Sequence, residues 1–291
     1  MKKALLLEGI HPIARSELET AGFEVELLSY SPGPDELVER ISEVDIVGIR
    51  SKTHITAEVL DHARNLGTVG AFCIGTNQID LPACTRHGVG VFNAPFSNTR
   101  SVAELALAEI TLLLRNLPDK MRFLHDGHWL KSASQSHEVR GKSLGIVGYG
   151  KIGMQLSVLA EALGMQVFYY DRVQRLALGN AISMSSLEAL LERCDVISLH
   201  VDGRPENRNL IDAAALSHMK KGSILLNLSR GHVVDIDALG NALDEGRLRG
   251  AALDVYPEEP ASKDAPFKSV MMEKKNVIMT PHIGGSTEEA Q

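Results

Sequence analysis

The stretch Gly148-Tyr149-Gly150-Lys151-Ile152-Gly153 decides the fold of this chain of 291 residues. An apolar strand pattern precedes it at residues 143–147, and a helical pattern and a second strand pattern, at 166–170, follow it. The three glycines permit a tight turn, the approach of backbone amides to a pyrophosphate, and close packing of helix against strand. The positive end of the helix dipole favours the same phosphates. The stretch therefore predicts a dinucleotide-binding βαβ unit.

An acidic residue completes this unit. Asp171 ends the second strand pattern, 18 residues after Gly153. A carboxylate there bonds the adenosine ribose hydroxyls and would repel a 2′-phosphate, which favours NAD over NADP. The neighbouring Arg172 weakens that preference, because an arginine can accommodate the phosphate.

Strand and helix patterns alternate along the whole chain. Before residue 100, strand patterns lie at 4–7, 24–28, 45–49, 68–73 and 90–92, with helical patterns at 13–21, 35–41 and 57–63. Beyond Gly141, further strand patterns lie at 143–147, 166–170, 196–200, 223–228, 251–255 and 276–280. This alternation predicts an α/β fold with two doubly wound, mostly parallel sheets.

The segments between and after these units are of three kinds. Residues 101–115 form a helical pattern that is apolar nearly all round, which predicts burial in a core or an oligomer interface. Residues 119–140 are polar and hold the only tryptophan, Trp129. Residues 286–289 have the pattern of a helix start, and we expect the chain to be cut short of its natural end.

The composition narrows the classes of function. Thirty Lys and Arg residues face 37 Asp and Glu residues, a formal charge of −7, which argues against a dedicated nucleic-acid binder. The three cysteines form no CxxC pair and no metal-ligand spacing, so we expect no metal and a reducing compartment. No apolar run of roughly 18 residues is present, and the sequence predicts a cytoplasmic protein without a membrane span.

Chemically capable residues follow three later strand patterns of the second unit. Arg230 comes after one, Glu258 and Glu259 after the next, and His282 after the last. An arginine can bind a substrate carboxylate bidentately, and a histidine beside a carboxylate can exchange a proton as hydride moves. The alternatives are non-catalytic roles: a helix cap or an ion pair for Arg230, and a solvated acidic loop for Glu258 and Glu259. His282 would then be one of 11 histidines without a catalytic role.

Seven ordered motifs span essentially the whole chain: GIRSKT at 48–53, GTNQID at 75–80, FNAPFSNTRSVAE at 92–104, the glycine stretch, NLSRG at 227–231, DVYPEEP at 254–260 and PHIGGST at 281–287. Through them the chain resembles the D-isomer-specific 2-hydroxyacid dehydrogenases. The resemblance implies a flavodoxin-like substrate domain at residues 1–97, to which 285–291 return. It also implies an inserted Rossmann domain at 98–284 that binds NAD and carries the dimerisation region.

The resemblance implies a role for each candidate site residue. His282 would exchange the proton, Glu259 would support it, and Arg230 would bind the substrate and assist electrophilically. Asp254 matches the position that meets the nicotinamide carboxamide. The implied cofactor site comprises Gly148, Gly150, Lys151, Ile152, Gly153, Asp171, His200, Leu228, Ser229, Asp254, Ile283, Gly284 and Gly285.

The same resemblance implies NAD-dependent oxidation of 3-phospho-D-glycerate to 3-phosphohydroxypyruvate. The implied substrate residues are Arg50, Ser51, Lys52, Gly75, Asn98 and Arg100. Relatives tend to carry arginine at position 52, and lysine keeps the charge but loses the bidentate fork. Trp129 and the helix at 101–115 would form a homodimer interface. The alternatives are a dehydrogenase for an unphosphorylated acid such as glyoxylate, hydroxypyruvate or 2-oxoglutarate, and a non-enzymatic NAD-sensing scaffold.

Overall fold

Two parallel sheets organise the chain, one in each of two units. The computed structural model describes residues 1–260 and 264–291, which divide into unit 1 (1–98 and 288–291) and unit 2 (99–287). The sheet of unit 1 has the strand order β2-β1-β3-β4-β5, which is that of flavodoxin-like folds. Its elements are β1 (Lys2–Leu6), α1 (Pro12–Thr20), β2 (Phe23–Leu27), α2 (Pro34–Ile41), β3 (Ile46–Ile49), α3 (Ala57–His62), β4 (Thr68–Ala71), α4 (Leu81–Arg86) and β5 (Gly90–Asn93).

Unit 2 contains a larger sheet of seven parallel strands, in the order β12-β11-β10-β9-β6-β7-β8. This is the Rossmann order with one strand added at the edge, and the order reverses between β6 and β9. Its elements are α5 (Thr99–Leu114), α6 (Leu117–His125), β6 (Ser143–Val147), α7 (Lys151–Ala162), β7 (Gln166–Tyr170), β8 (Ile182–Ser183), α8 (Leu187–Arg193), β9 (Val196–Leu199), α9 (Ala213–His218), β10 (Ser223–Asn227), α10 (Ile236–Asp244), β11 (Leu248–Leu253) and β12 (Val277–Met279).

Side-chain caps fix where several helices begin. In unit 1, Thr56 accepts a hydrogen bond from the Val59 amide at 3.3 Å, and Asp80 accepts one from the Ala83 amide at 2.9 Å. Helices of unit 2 begin in the same way at three residues: Ser186, Asp212 and Asp235. Each cap satisfies an amide that has no partner within its own helix. Polar residues between apolar runs therefore set the ends of these elements.

The predicted fold class is confirmed, and the buried helix predicted at 101–115 is α5. Its face with Ala103, Ala106, Ile110 and Leu113 lies in a core cluster of unit 2. No helix is predicted in the polar segment at 119–140, yet α6 covers its first part and ends at His125.

The helix start predicted at residues 286–289 is wrong, because that segment forms turns. The amide of Ser286 donates to the Ile283 carbonyl at 2.8 Å, and Thr287 lies 2.9 Å, oxygen to oxygen, from the Ser101 hydroxyl. The strand predicted at 251–255 also differs: β11 begins at Leu248 and ends at Leu253.

Candidate active site

The glycine turn lies where the strand order of unit 2 reverses. Gly148 follows β6 with φ +90°, and a Cβ there would lie 2.6 Å from the carbonyl oxygen of His200, which follows β9. Gly150 is the cap residue of α7 and forms no side-chain cap, and among the described residues no atom beyond its chain neighbours lies within 4 Å of the position that a Cβ there would take. The first turn of the helix therefore begins without a side chain in front of it. A dinucleotide pyrophosphate fits this arrangement of backbone donors.

Asp171 is fixed beside this turn. Its Oδ2 accepts the Tyr149 amide at 2.9 Å, and its Oδ1 accepts the Val173 amide at the same distance. The Arg175 guanidinium lies 3.5 Å from Oδ2. The carboxylate is thus held at the end of β7, where the sequence places the ribose contact, and each oxygen keeps a second lone pair for a ligand.

His200 lies on the other side of the turn. Its Nε2 is hydrogen-bonded to the Ser198 hydroxyl at 2.9 Å, whereas its buried Nδ1 has no partner among the described residues. Burial lowers the pKa of the imidazole to about 4. The ring is therefore neutral at neutral pH and suits the wall of a pocket for an uncharged base.

Asp254 organises the loop after β12. Its carboxylate, in a residue only 2% exposed, accepts the Thr280 hydroxyl at 2.6 Å and the amides of Ile283 and Gly284 at 2.8 and 2.7 Å. These bonds hold the turn that carries His282, whose backbone has φ +54°. A non-glycine residue in the left-handed region is strained unless its surroundings fix it, and such residues cluster at functional sites.

His282 and Glu259 form a pair on this turn. The Nδ1 of His282 donates to Glu259 Oε2 at 2.8 Å, and both side chains are partly exposed, by 47% and 37%. The hydrogen bond to Glu259 raises the pKa of His282 against the opposing effect of burial, and the negative charges of Glu259 and Asp254 raise it further. Burial alone would raise the pKa of Glu259, but the hydrogen bond and charge of His282, the Tyr256 amide and Arg230 together lower it.

Arg230 is brought to the same edge by a glycine. A Cβ on Gly231 would lie 1.9 Å from the carbonyl carbon of Tyr256, so only glycine lets this segment pack against residues 254–260. The Arg230 guanidinium donates to the Ser229 carbonyl at 2.7 Å, and its charge lowers the pKa of His282. Leu228 and Ser229, just before it, are buried. The carboxyl edge of the sheet thus gathers a guanidinium, a carboxylate and a titratable ring.

The residues predicted for substrate lie in both units. Arg50 follows β3, and Ser51 and Lys52 are exposed in the same loop. The Gly75 carbonyl accepts Gln78 Nε2 at 3.3 Å, and Asn98 is the last residue of the first segment of unit 1. Arg100 instead belongs to α5 of unit 2, where it pairs with Glu104. The structure therefore groups Arg50, Ser51 and Lys52 but assigns Arg100 to the other unit.

Two carboxylates, one in each unit, are absent from the sequence prediction. Glu8 binds the loop that carries Arg50. Glu109 lies on the buried face of α5, 1% exposed, and neither of its oxygens has a hydrogen-bond partner among the described residues. Burial, together with the charge of Asp254, raises the pKa of Glu109 to about 8. Its only sequence signal is an acid on the apolar face of a helical pattern.

A glycine turn at the strand-order reversal, with a guanidinium, a carboxylate and a titratable ring on the same sheet edge, is typical of dinucleotide-dependent oxidoreductases. Comparison with known proteins gives the family. The family model of the "D-isomer specific 2-hydroxyacid dehydrogenase, NAD binding domain" matches residues 107–284. The chain belongs to the D-isomer specific 2-hydroxyacid dehydrogenase family, and it is an enzyme that uses NAD.

Similar curated proteins cover nearly all of the chain. D-3-phosphoglycerate dehydrogenase of Haemophilus influenzae is 55% identical over 99% of this chain and 71% of its own length. The protein of the same name from Escherichia coli K12 is 51% identical with the same coverage. D-3-phosphoglycerate dehydrogenase 1 of Saccharomyces cerevisiae is 50% identical over 99% of this chain and 63% of its own length.

Solved structures resemble the chain at lower identity. D-lactate dehydrogenase from Aquifex aeolicus, in complex with NAD and lactic acid, has a TM-score of 0.85 at 26% identity. The match covers 99% of this chain and 90% of the lactate dehydrogenase chain. A glyoxylate reductase from Paecilomyes thermophila has a TM-score of 0.86 at 25% identity, with the same coverage. Among residues 1–260 and 264–291, no helix is long and apolar enough to cross a bilayer, and no three His, Cys, Asp or Glu side chains are arranged to hold a metal ion.

Proposed function

We propose that this enzyme oxidises 3-phospho-D-glycerate to 3-phosphohydroxypyruvate with NAD, the first step of L-serine synthesis. The hydrogen-bonded pair of His282 and Glu259 beside Arg230 is the observation that carries the chemistry. The choice of substrate is supported by relatives at 50–55% identity that are named for it. The few cysteines support a cytoplasmic location.

The residues on the sheet edge divide the chemistry between them. NAD, when bound, accepts the hydride from the carbon that carries the substrate hydroxyl. Arg230 binds the substrate carboxylate and fixes the orientation of that carbon. His282 takes the hydroxyl proton on Nε2, because its Nδ1 is committed to Glu259. Glu259 stabilises the imidazolium that forms, and the same proton returns to the carbonyl oxygen in the reverse reaction.

Recognition of the phosphate is assigned to the loop after β3. Arg50 and Lys52 each carry a positive charge, and no hydrogen bond or ion pair commits either charged group within the part of the chain that the structure describes. Two such groups on one loop suit a doubly charged phosphate. Ser51 adds a hydroxyl, and we include Gly75 and Asn98 in the same substrate site.

A panel of keto acids with NADH tests this assignment. We expect the wild type to reduce 3-phosphohydroxypyruvate with a higher kcat/KM than hydroxypyruvate, glyoxylate or 2-oxoglutarate. Arg50→Ala should lower the ratio of kcat/KM for 3-phosphohydroxypyruvate to kcat/KM for the other acids by about tenfold or more, because it removes a charged hydrogen-bond donor. Arg15→Ala is the matched control, since Arg15 pairs with Glu19 on α1 of the same unit. An Arg50→Ala enzyme with an unchanged preference would show that the phosphate is bound elsewhere.

We also propose that the enzyme is a homodimer formed through unit 2. Apolar side chains of α6 and the segment after it are exposed: Met121, Phe123, Leu124, Trp129 and Leu130. Trp129 is 81% exposed, and a large aromatic side chain of this kind is a typical anchor of an interface. Trp129→Asp should therefore give monomers in light scattering after gel filtration. Leu176→Asp is the control, because Leu176 is 84% exposed elsewhere in unit 2; dimers in both variants would contradict this interface.

A further inference from the structure

Glu8 has an unusual backbone conformation for its residue type. It lies two residues beyond the end of β1 with φ +63°, in the left-handed region. Among the described residues, three of the other five non-glycine residues with positive φ are asparagines, which adopt this region readily, whereas glutamate does not. The Glu8 amide donates to the Tyr30 carbonyl at 3.1 Å, which holds the residue in place. Strain of this kind persists where the surrounding structure fixes it and points to a functional constraint.

The Glu8 carboxylate binds the backbone of the loop that carries Arg50 and Lys52. Its Oε1 accepts the amides of Arg50 and Thr53 at 3.0 and 2.9 Å, and its Oε2 accepts the amide of Lys52 at 3.0 Å. Successive amides that converge on one anion form an anion-binding nest. Here the protein fills the nest with its own carboxylate, through charge-assisted hydrogen bonds.

Other side chains hold the same loop from its remaining sides. Gln78 Nε2 donates to the Arg50 carbonyl at 2.6 Å, and the Thr53 hydroxyl is hydrogen-bonded to that of Ser31 at 2.8 Å. The backbone of residues 50–53 is therefore fixed, whereas the charged groups of Arg50 and Lys52 have no hydrogen bond or ion pair with the residues that the structure describes. Because Glu8 occupies the amides of Arg50, Lys52 and Thr53, these three donors are not available to a substrate anion, and the side chains of Arg50 and Lys52 are the positive charges that the loop offers to it.

We propose that Glu8 is a positioning residue for phosphate recognition: its carboxylate fixes loop 50–53 so that Arg50 and Lys52 meet the substrate phosphate. The proposal rests on the proposed function, because it assigns the phosphate to this loop. Long cationic side chains bind an anion strongly only when their backbone is fixed, since otherwise ordering the loop opposes binding. The ammonium of Lys52 has no bidentate fork, so its placement depends on the backbone more than an arginine's would.

Glu8→Ala and Glu8→Gln test the proposal by comparing two substrates. In Glu8→Ala we expect KM for 3-phosphohydroxypyruvate to rise about tenfold with kcat changed less than about twofold, because binding and not the chemical step is lost. KM for hydroxypyruvate, which lacks the phosphate, should stay the same. Glu8→Gln keeps one carbonyl acceptor and should show a smaller rise in KM. A Glu8 that only maintained the fold would change both substrates alike.

Asp45→Ala is the matched control, because Asp45 also accepts a backbone amide in unit 1, that of Lys3 at 2.7 Å. It should leave the ratio of the two KM values unchanged. A lower KM for 3-phosphohydroxypyruvate in Glu8→Ala would overturn the proposal, because the released amides would then bind the phosphate themselves. An unchanged ratio would overturn it as well.

Amide hydrogen exchange separates this proposal from the proposed function. A wild type without preference for the phosphorylated substrate would contradict the proposed function. Exchange at Arg50, Lys52 and Thr53 then tests Glu8 alone. Faster exchange of these amides in Glu8→Gln than in Asp45→Ala supports the positioning role, and equal exchange overturns it.

Discussion

The two sheets differ in how their faces are covered. The sheet of unit 2 lies between two core clusters, and every residue of β6 and β10 is buried. In unit 1 one core cluster gathers residues from β1, β3 and β4 with α2 to α4. On β5 the pattern ends in two exposed residues, and Phe72 and Phe92 are 41% and 67% exposed. Parallel sheets are normally covered on both faces, and the β5 side of the sheet of unit 1 departs from this rule.

The candidate residues follow the same division. Unit 2 carries Arg230, Glu259 and His282 on the segments that follow β10, β11 and β12, three neighbouring strands of one sheet. Unit 1 presents Arg50 and Lys52 on a loop that hydrogen bonds from Glu8 and Gln78 keep in place. Proton exchange needs closely placed groups with tuned pKa values, whereas anion binding needs positive charges on a fixed backbone. Under the proposed function, unit 2 therefore supplies the edge where the chemistry takes place, with Arg230, Glu259 and His282 (the chemical edge), and unit 1 supplies the loop that binds the phosphate.

The largest expected effect tests the chemical edge. His282→Ala should lower kcat by roughly 10²- to 10⁴-fold, because it removes the group that exchanges the proton. NADH binding, measured by quenching of protein fluorescence, should be kept. His218→Ala is the control, since His218 pairs with Glu192 on the surface of unit 2. Full turnover in His282→Ala would break the assignment of chemistry to this edge, and loss of both turnover and NADH binding would indicate a structural role.

One substitution in each sheet, at a buried position in unit 2 and at an exposed position in unit 1, tests how the two sheets are covered. Leu226→Ala, at a fully buried position of β10, should cost about 2–5 kcal/mol of the free energy of unfolding. Phe92→Ala, on the exposed face of β5, should change it by less than about 0.5 kcal/mol. Urea titrations with hydrogen exchange on each sheet would assign the loss to a unit. A cost for Phe92→Ala close to that of Leu226→Ala would mean that this face of unit 1 is covered in solution.

The burial of Glu109 in unit 2 predicts a pH dependence of the free energy of unfolding. Its pKa is raised from 4.5 to about 8 in the folded protein, so the folded state binds its proton more tightly than the unfolded state does. The stabilisation is full below pH 4.5 and is lost as the pH rises through 8. Between these values the free energy of unfolding should fall by about 1.4 kcal/mol per pH unit from this group.

Glu109→Gln should remove that dependence, because the amide has the shape of the neutral acid and does not titrate. Urea titrations from pH 5 to pH 8.5 compare the variant with the wild type. Glu104→Gln is the control on the exposed side of α5. Equal slopes for Glu109→Gln and the wild type would show that Glu109 does not carry a raised pKa.

The sequence predicts those parts of the molecule that depend on neighbouring residues. Glycine spacing and strand periodicity are local, and they place the dinucleotide turn, Asp171 and the strand ends at Arg230 and His282. The contacts of Glu8 join residues 42 to 45 positions apart, and no periodic pattern marks them. The raised pKa of Glu109 is not predictable from the sequence for a different reason: an apolar helical pattern predicts burial but not the protonation state of an acid within it. The end of β11 is set by hydrogen bonds to Asp254 from residues beyond 279.

The smallest expected effect concerns the pairing of Glu259 with His282. The hydrogen bond raises the pKa of His282 in the folded protein, so the imidazolium persists to higher pH than in an unpaired histidine. Reduction of the keto acid needs the imidazolium, and its rate falls as the pH rises through that pKa. Glu259→Gln removes the carboxylate charge and lowers the pKa, so the reductive pH profile should move to lower pH.

The oxidative direction sharpens this test, because it needs the neutral imidazole. Its acid limb should also move to lower pH in Glu259→Gln, so that both profiles shift the same way. Glu258→Gln is the control, because Glu258 is the exposed neighbour in the same segment. Profiles that stay in place in Glu259→Gln would show that the pair does not set the proton affinity of His282. The tuning of the chemical edge would then have to come from Asp254 and Arg230, the other charges that act on the ring.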